Sequence, residues 1–225
     1  MFAQQTGLTQ PDRVFMLIAH LDSTSPSPST LAPGADDNAS GSVALLTIAN
    51  ILRQYQFGCT LRYALFTGEE QGYYGSIAYA SDPDPGTIQA VLNLDMLGYN
   101  TPNSAATIEL HTRYANGGDL AIAYLFRDVI SAYQIPLTPQ VVQDGLSFSD
   151  HYPFWNQGYS AILAIEDWDD HTPYYHTTND QLENLNIPSY PTFPKAALAT
   201  FAHMGCLIEA PPTGPSTLYL PMVNH

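Results

Sequence analysis

The sequence predicts an α/β fold, a three-layer sandwich with a mixed, largely parallel central sheet flanked by helices. Two patterns carry this expectation. Short apolar runs of strand length alternate with stretches of helical periodicity. Four of those runs lead directly into acids or histidines, and sheets of this class build their sites where strands end.

Residues 13–19 (RVFMLIA) form a continuous apolar run ending at HLD, which reads as a strand buried on both faces. Before it, TGLTQPD reads as a hairpin turn and MFAQQ as what remains of a preceding strand. Residues 21–39 are a loop rich in Ser, Pro and Asp. ASGSVALLTIANILRQY is a helix with Ser40 or Ser42 as its N-cap. LRYALFT (61–67) is a strand, YYGSIAYAS opens a short helix, and VLNLD (91–95) and TIELH (107–111) are strands. Residues 118–133 are helical, with Ile122, Phe126, Val129 and Tyr133 on one face. Residues 137–143 suit a strand. YSAILAI (159–165) is a buried strand, followed by the polar loop EDWDDHTPYYHTTND, and residues 191–209 contain the last helix. Residues 1–210 thus make one domain, and the Pro/Thr/Ser-containing residues 211–225 a C-terminal tail.

The 225 residues, 45% of them hydrophobic, suit one globular domain. No apolar run reaches the roughly 18 residues of a membrane span. The net charge of −15 argues against a nucleic-acid partner, because such a surface repels phosphates. It suits a secreted or extracellular protein, although MFAQQTGLTQPDRVF has no basic stretch followed by an apolar core and is not a signal peptide. Cys59 and Cys206 show no metal-type spacing. Two buried free thiols are the preferred reading, with one disulfide as the alternative in a secreted chain.

The acids and histidines at strand ends are His20 and Asp22, Glu69 and Glu70, Asp95, and His176, with Asp36 and Asp37 just before the first long helix. Each alone reads as a turn residue, a cap or a structural histidine. Together they put two imidazoles and several carboxylates on one rim. The available cations, Arg13, Arg53, Arg62, Arg113, Arg127 and Lys195, all fall outside these motifs. Clustered carboxylates raise each other's pKa, and one or two divalent metals resolve the conflict. Mixed imidazole and carboxylate ligands suit zinc.

The motifs AHLDS, PGADDNASG, FTGEEQGYYGS, LNLD and PYYHTTND occur in an order that resembles the dizinc aminopeptidases of bacterial leucyl aminopeptidase type, over about residues 8–209. The wider family includes carboxypeptidases and glutaminyl cyclases. The resemblance implies a zinc-exopeptidase-like fold holding two Zn²⁺ per chain. His20 and Asp95 would bind one zinc, Glu70 and His176 the other, and Asp37 would bridge both, with a cis peptide bond after Asp37. Asp22 would orient His20 through its other ring nitrogen, as the i, i+2 spacing on an extended chain allows. Glu69 would act as general base toward a zinc-bridging water that attacks the scissile carbonyl. The substrate would be a peptide with a free N-terminus and a hydrophobic first residue.

SDHYPF (149–154) resembles a further family element near the site. It makes His151 the candidate oxyanion donor, with a structural role beside Asp150 as the alternative. Met96, Leu163, Ile165, Trp168 and Tyr175 are candidates for the pocket of the first side chain, or for ordinary packing. Asp167, Asp169 and Asp170 read as a solvated acidic loop in preference to a calcium site, and His111, His171, His203 and His225 as structural.

Family members carry a longer stretch before the first metal motif, so MFAQQTG implies a shortened first strand. The expectation is a sheet edge covered by another subunit, giving an oligomer, or left poorly ordered. The competing readings are a glutaminyl-cyclase-like mono-zinc acyltransferase and a non-catalytic binding relative. The short QGYYGS turn and Tyr175, where cyclases place Trp, argue against the cyclase. A carboxypeptidase lacks the arginine cluster needed to grip a substrate carboxylate.

Overall fold

Residues 14–19 are apolar at every position because both faces of their strand are covered. In the computed structural model of the chain, which describes residues 1–82, 87–102 and 104–208, this run belongs to an 11-residue strand, Gln10–His20. Phe15, Leu17 and Ala19 enter one buried cluster, and Val14, Met16 and Ile18 another. The strands in chain order are β1 (Phe2–Gln5), β2 (Gln10–His20), β3 (Gln56–Phe57), β4 (Cys59–Phe66), β5 (Thr87–Leu94), β6 (Thr107–Thr112), β7 (Thr138–Gln143), β8 (Ala161–Glu166) and β9 (Leu207–Ile208). Seven of them form one sheet in the order β1-β4-β2-β5-β8-β6-β7, and β3 pairs with β9 separately. Strands β4, β2, β5 and β8 run parallel, while β1 and the parallel pair β6–β7 run against them. The sheet is therefore mixed and largely parallel.

The helices are α1 (Gly41–Leu52), α2 (Tyr74–Ala80), α3 (Gly117–Ala132), α4 (His151–Asn156) and α5 (Thr192–Met204). On one face of the sheet, α1, α3 and α5 bury Leu45, Ile48, Ile122, Phe126 and Phe201. On the other, α2 and α4 bury Ala80, Phe154 and Trp155 against Met16, Ile18 and Phe66. Removing one such fully buried side chain to Ala costs about 2–5 kcal/mol, so these two layers fix the sheet on which the rim residues sit.

Several local expectations change. β1 and β2 do not form a hairpin, because β1 pairs antiparallel with β4, which lies between them. TGLTQPD instead carries the chain across the start of β4. Gly7 there donates to Thr60 Oγ1 at 3.0 Å, and a Cβ on it would come within 2.4 Å of the Cys59 main chain. The remnant strand is well formed, with four residues in register against Leu61–Ala64. Neither Ser40 nor Ser42 caps α1. Ser40 Oγ donates to Asp36 O, Ser42 Oγ donates to His20 O, and Asn38 Oδ1 accepts the Gly41 N–H at 2.9 Å. SDHYPF opens the helix α4, which periodicity did not expose.

The acids of the 167–170 loop serve the backbone. Asp167 accepts from Asp169 N–H, and Asp170 accepts from Thr101 N–H and Oγ1. His171 bonds to the Trp168 carbonyl and His203 to the Tyr133 hydroxyl. No helix among the described residues is long and apolar enough to cross a membrane. The tail expected at 211–225, and His225 with it, lie outside the described residues.

Cys59 and Cys206 are joined in a disulfide, in place of the two free thiols preferred from sequence. The β3–β9 pair, with Gly58 N–H donating to Cys206 O at 2.8 Å, brings the two residues together across 147 positions, a contact that spacing could not reveal. Reduction, or Cys206→Ser, is expected to lower the unfolding free energy by about 2–4 kcal/mol, as a long-loop cross-link implies. Urea unfolding with and without reductant checks this.

Candidate metal centre

Because β2, β4, β5 and β8 are parallel, their carboxyl ends share one rim. His20 is the last residue of β2, Asp95 follows β5 directly, and Glu69 and Glu70 lie just past β4. His176 sits in the loop after β8, and Asp37 in the irregular helical turn Ala35–Ser40 that leads into α1.

These residues converge. His20 Nε2 lies 3.2 Å from Asp37 Oδ1 and 3.3 Å from Asp95 Oδ1. His176 Nε2 lies 3.0 Å from Asp37 Oδ2 and 3.0 Å from Glu70 Oε2. The two oxygens of Asp37 thus face the two imidazoles, one each. Glu69 stands with His20 and Asp95, their ligand-type atoms within 4.8 Å of one another.

Main-chain donors and one amide aim these groups. The peptide bond Asp37–Asn38 is cis. Asn38 brackets Asp95, donating to Leu94 O at 2.9 Å and accepting from Met96 N–H at 3.3 Å. Asp180 accepts the N–H groups of Asp36 and Asp37 at 2.9 and 3.0 Å. Ser149 donates to Asp95 Oδ2 at 2.6 Å. Asp22 acts differently from the expectation. His20 Nδ1 meets its main-chain carbonyl at 2.9 Å, while its carboxylate, 3.9 Å from that ring, accepts the N–H groups of Glu69 and Glu70. The i+2 spacing places the carbonyl closer to the imidazole than the carboxylate. Asp180 and Ser149 had no role assigned from sequence, although both stand inside motifs that the sequence displays.

The electrostatics of the cluster are those of a site short of positive charge. Burial pushes Glu69 up; His20 pulls it back, and Asp95, Asp150 and Asp37 push it further, to about 9. Burial also raises Glu70. Hydrogen bonding to Asp37 and Glu70 raises His176 to about 10. Burial opposes protonation of His20, but Asp95 and Asp37 outweigh it and hold its pKa well above the usual imidazole range. Asp37 is held below the usual carboxylate range, its own burial outweighed by His176 and His20. Protons thus occupy the place of a cation. Glu70 Oε1 is buried without a hydrogen-bond partner. Two imidazoles that hold protons and carboxylates turned toward them form a donor set that fits zinc.

The cluster floors a cavity of about 380 Å³. Met96, Leu163, Ile165, Trp168 and Tyr175 all line it, joined by Tyr73, Leu146 and Phe148, which the sequence reading did not single out. Met96, Leu163 and Ile165 pack together, with Trp168 and Tyr175 against them. Tyr73, Met96 and His176 have left-handed backbones, at φ 63°, 48° and 55°. Non-glycine residues in this conformation cost of order 1 kcal/mol or more each and gather at functional sites.

His151 does not reach the cavity. It is fully buried, its Nε2 donates to Leu146 O at 2.9 Å, and burial lowers its pKa to about 3. As the first residue of α4 it points inward, so the expected oxyanion donor is not there. Asp150 bonds to Ser76 Oγ, not to His151, and its Oδ2 is buried without a partner.

Fold and site together define an α/β sandwich with a metal-binding centre at the carboxyl rim of its parallel strands. The chain belongs to peptidase family M28, whose model matches residues 2–201. Leucine aminopeptidase 2 of Trichophyton rubrum is 33% identical over 136 residues, 57% of this chain and 26% of that protein. Aminopeptidase YwaD of Bacillus subtilis is 28% identical over 191 residues, 80% of this chain and 38% of that protein. The LapA aminopeptidase structure of Legionella pneumophila superposes with a TM-score of 0.74 at 27% identity, covering 88% of this chain and 53% of that one.

Two outcomes follow from the centre. Zinc must displace protons from groups whose pKa values are raised, so its binding should release protons and weaken as pH falls. Calorimetry in buffers of different ionisation enthalpy measures the release. Asp180→Ala removes the acceptor that fixes the Asp37 backbone and should weaken zinc binding about 10–100-fold, as loss of a ligand-supporting partner does. Competition with a chromophoric chelator checks it.

Proposed function

We propose that this chain is a zinc aminopeptidase that binds two Zn²⁺ and removes a hydrophobic residue from the N-terminus of a peptide. The observation that carries the reading is the Asp37 carboxylate, with one oxygen facing His20 and the other His176, so that it would be shared by two half-sites. His20 and Asp95 would complete one half-site, Glu70 and His176 the other. Aminopeptidase names among the relatives support the same activity.

A bound metal pair would supply Lewis-acid charge and an activated water. The chain's own residues do the rest. Glu69, buried at 8% exposure and held beside His20 and Asp95, takes a proton from the attacking water and returns one to the leaving amine. The Asp22 carboxylate fixes both N–H groups of the glutamate pair, so Glu70 can turn toward His176 while Glu69 keeps to the His20 side. The apolar wall of Met96, Leu163, Ile165 and Trp168 receives the first side chain and excludes water from it. The Cys59–Cys206 disulfide supports a secreted location.

The test pairs metal analysis with turnover of leucyl and glutaminyl aryl amides. Wild type should hold two zincs per chain and cleave leucyl amide in a chelator-sensitive way. Glu69→Ala should keep both metals and lose roughly 10²–10⁴ in kcat, the range for a general base. Glu70→Ala should lose metal first. One zinc with cyclisation of glutaminyl substrates would overturn the reading, as would equal metal loss in the two variants.

A further inference from the structure

Outside the metal centre, the described residues hold a second pair of buried histidines, and both end on one residue. Leu146 lines the cavity. Its N–H donates to His111 Nδ1 at 3.0 Å, and its carbonyl accepts from His151 Nε2 at 2.9 Å. His111 and His151 are 2% and 0% exposed. The bonds define the tautomers. His111 must leave Nδ1 bare to accept, so its proton is on Nε2, which meets Glu109 Oε2 at 2.8 Å. His151 must carry its proton on Nε2, which leaves Nδ1 bare, buried and unpartnered.

The supporting frame is rigid. Glu109 and His111 stand two apart on β6 and so project to one side. Gly145 donates to Thr112 O at 3.0 Å, and a Cβ on it would lie 2.6 Å from His111 Cβ, so the chain lies directly on the imidazole. The segment then supplies Phe148, whose ring meets Trp168 at 6.5 Å, and Ser149, which donates to Asp95. One side of the cavity, from Leu146 to Phe148, is therefore held by two imidazoles and one serine, with the Tyr73 hydroxyl donating to Ser147 O at 3.5 Å between them.

We propose that His111 and His151 are positioning residues that set substrate selection, clamping the Leu146 main chain by both polar groups so that Leu146 and Phe148 form a fixed wall for the first side chain. Neither imidazole touches substrate in this arrangement. Leu146 lies close to the apolar residues of the pocket, since His111 is paired in the sheet with Leu163. A loosened wall would reduce contact with a large side chain more than with a small one. This rests on the aminopeptidase reading for its kinetic part, and on hydrogen bonding alone for its structural part.

Two polar substitutions separate the clamp from general stability. In His111→Asn the side-chain oxygen falls near the position of Nδ1 and can still accept from Leu146. In His111→Gln the amide reaches toward the position of Nε2, and the acceptor at Nδ1 is lost. Hydrogen exchange of the Leu146 amide should stay slow in the Asn variant and rise roughly tenfold or more in the Gln variant, by local opening. The kcat/KM ratio of leucyl to alanyl aryl amide should fall about tenfold in the Gln variant, mainly through KM, the size of effect that pocket contacts of this kind carry. It should be retained in the Asn variant, and zinc content should be unchanged in both. Equal exchange in the two variants would overturn the clamp. Exchange that separates them while the leucyl-to-alanyl ratio does not would overturn its role in selection. If wild type cleaves neither amide, the aminopeptidase reading falls and the exchange result still decides the clamp. If His111→Gln does not fold, His151→Gln, which keeps a donor near Nε2, against His151→Leu, which does not, gives the same comparison.

Discussion

The structure depends on holding several carboxylates together with two imidazoles as the only basic side chains among them. The lining of the central cavity includes Asp37, Glu69, Glu70 and Asp95, and no lysine or arginine. Like charges at such separations repel strongly in a partly buried site. The arrangement persists because each acid is held through other atoms. Asp37 is fixed by its backbone on Asp180, Asp95 by Ser149 and by the Asn38 bracket, and the two glutamates by their N–H groups on Asp22. A cation then enters a frame already built, and little ordering remains to be done when it binds.

The frame explains why the sheet is wound as it is. Four parallel strands deliver their ends to one rim, and each brings its acids or histidine there by chain direction alone. The parallel pair β6–β7, antiparallel to those four, does something else. Running against β8, it presents Glu109 and His111 beside Leu163, where they support the segment that leads into α4. A second buried pair reinforces the rim from behind. Burial raises Asp36 to about 7 and Glu166 well above the usual carboxylate range, and they sit in hydrogen-bond contact while accepting from Gly98, Tyr99 and Thr172. Two adjacent buried acids are tolerable when one keeps its proton and the pair shares it.

The sequence displayed much of this, and its failures have a common cause. Strands β2, β4, β5 and β8 were legible because burial on both faces leaves continuous apolar runs, and the rim residues because they follow those runs. The place of FTGEEQGYYGS after an apolar run marked Glu69 and Glu70 as strand-end acids, and PGADDNASG marked Asp36 and Asp37 as acids just before the first long helix. What was not legible depends on partners far along the chain. The β1–β4 pairing, the Cys59–Cys206 contact and the inward turn of His151 each depend on an element at least tens of residues away or on the packing of a short helix. Asp22 is a finer case. Its spacing from His20 was read correctly as a contact, but a period of two places the backbone carbonyl, not the carboxylate, next to the ring.

These two kinds of residue divide the labour. His20, Asp95, Glu69 and Glu70 stand at or just past strand ends, Asp37 is held by its N–H on Asp180, and His176 comes from the loop after β8. The cavity wall is drawn partly from loops, Leu146 and Phe148 before α4 and Trp168 and Tyr175 after β8, and partly from Leu163 and Ile165 of β8 itself. A loop can change its side chains without moving a ligand, provided its backbone stays anchored. In this chain the anchors of the first loop include two imidazoles and a serine hydroxyl, beside a main-chain bond from Gly145 to Thr112 and the Tyr73 hydroxyl on Ser147. Selection of the substrate side chain can therefore vary at Leu146 and Phe148 without altering a ligand-type residue, while Ser149 on Asp95, Met96 next to Asp95 and Tyr175 stacked on His176 tie the wall to the centre.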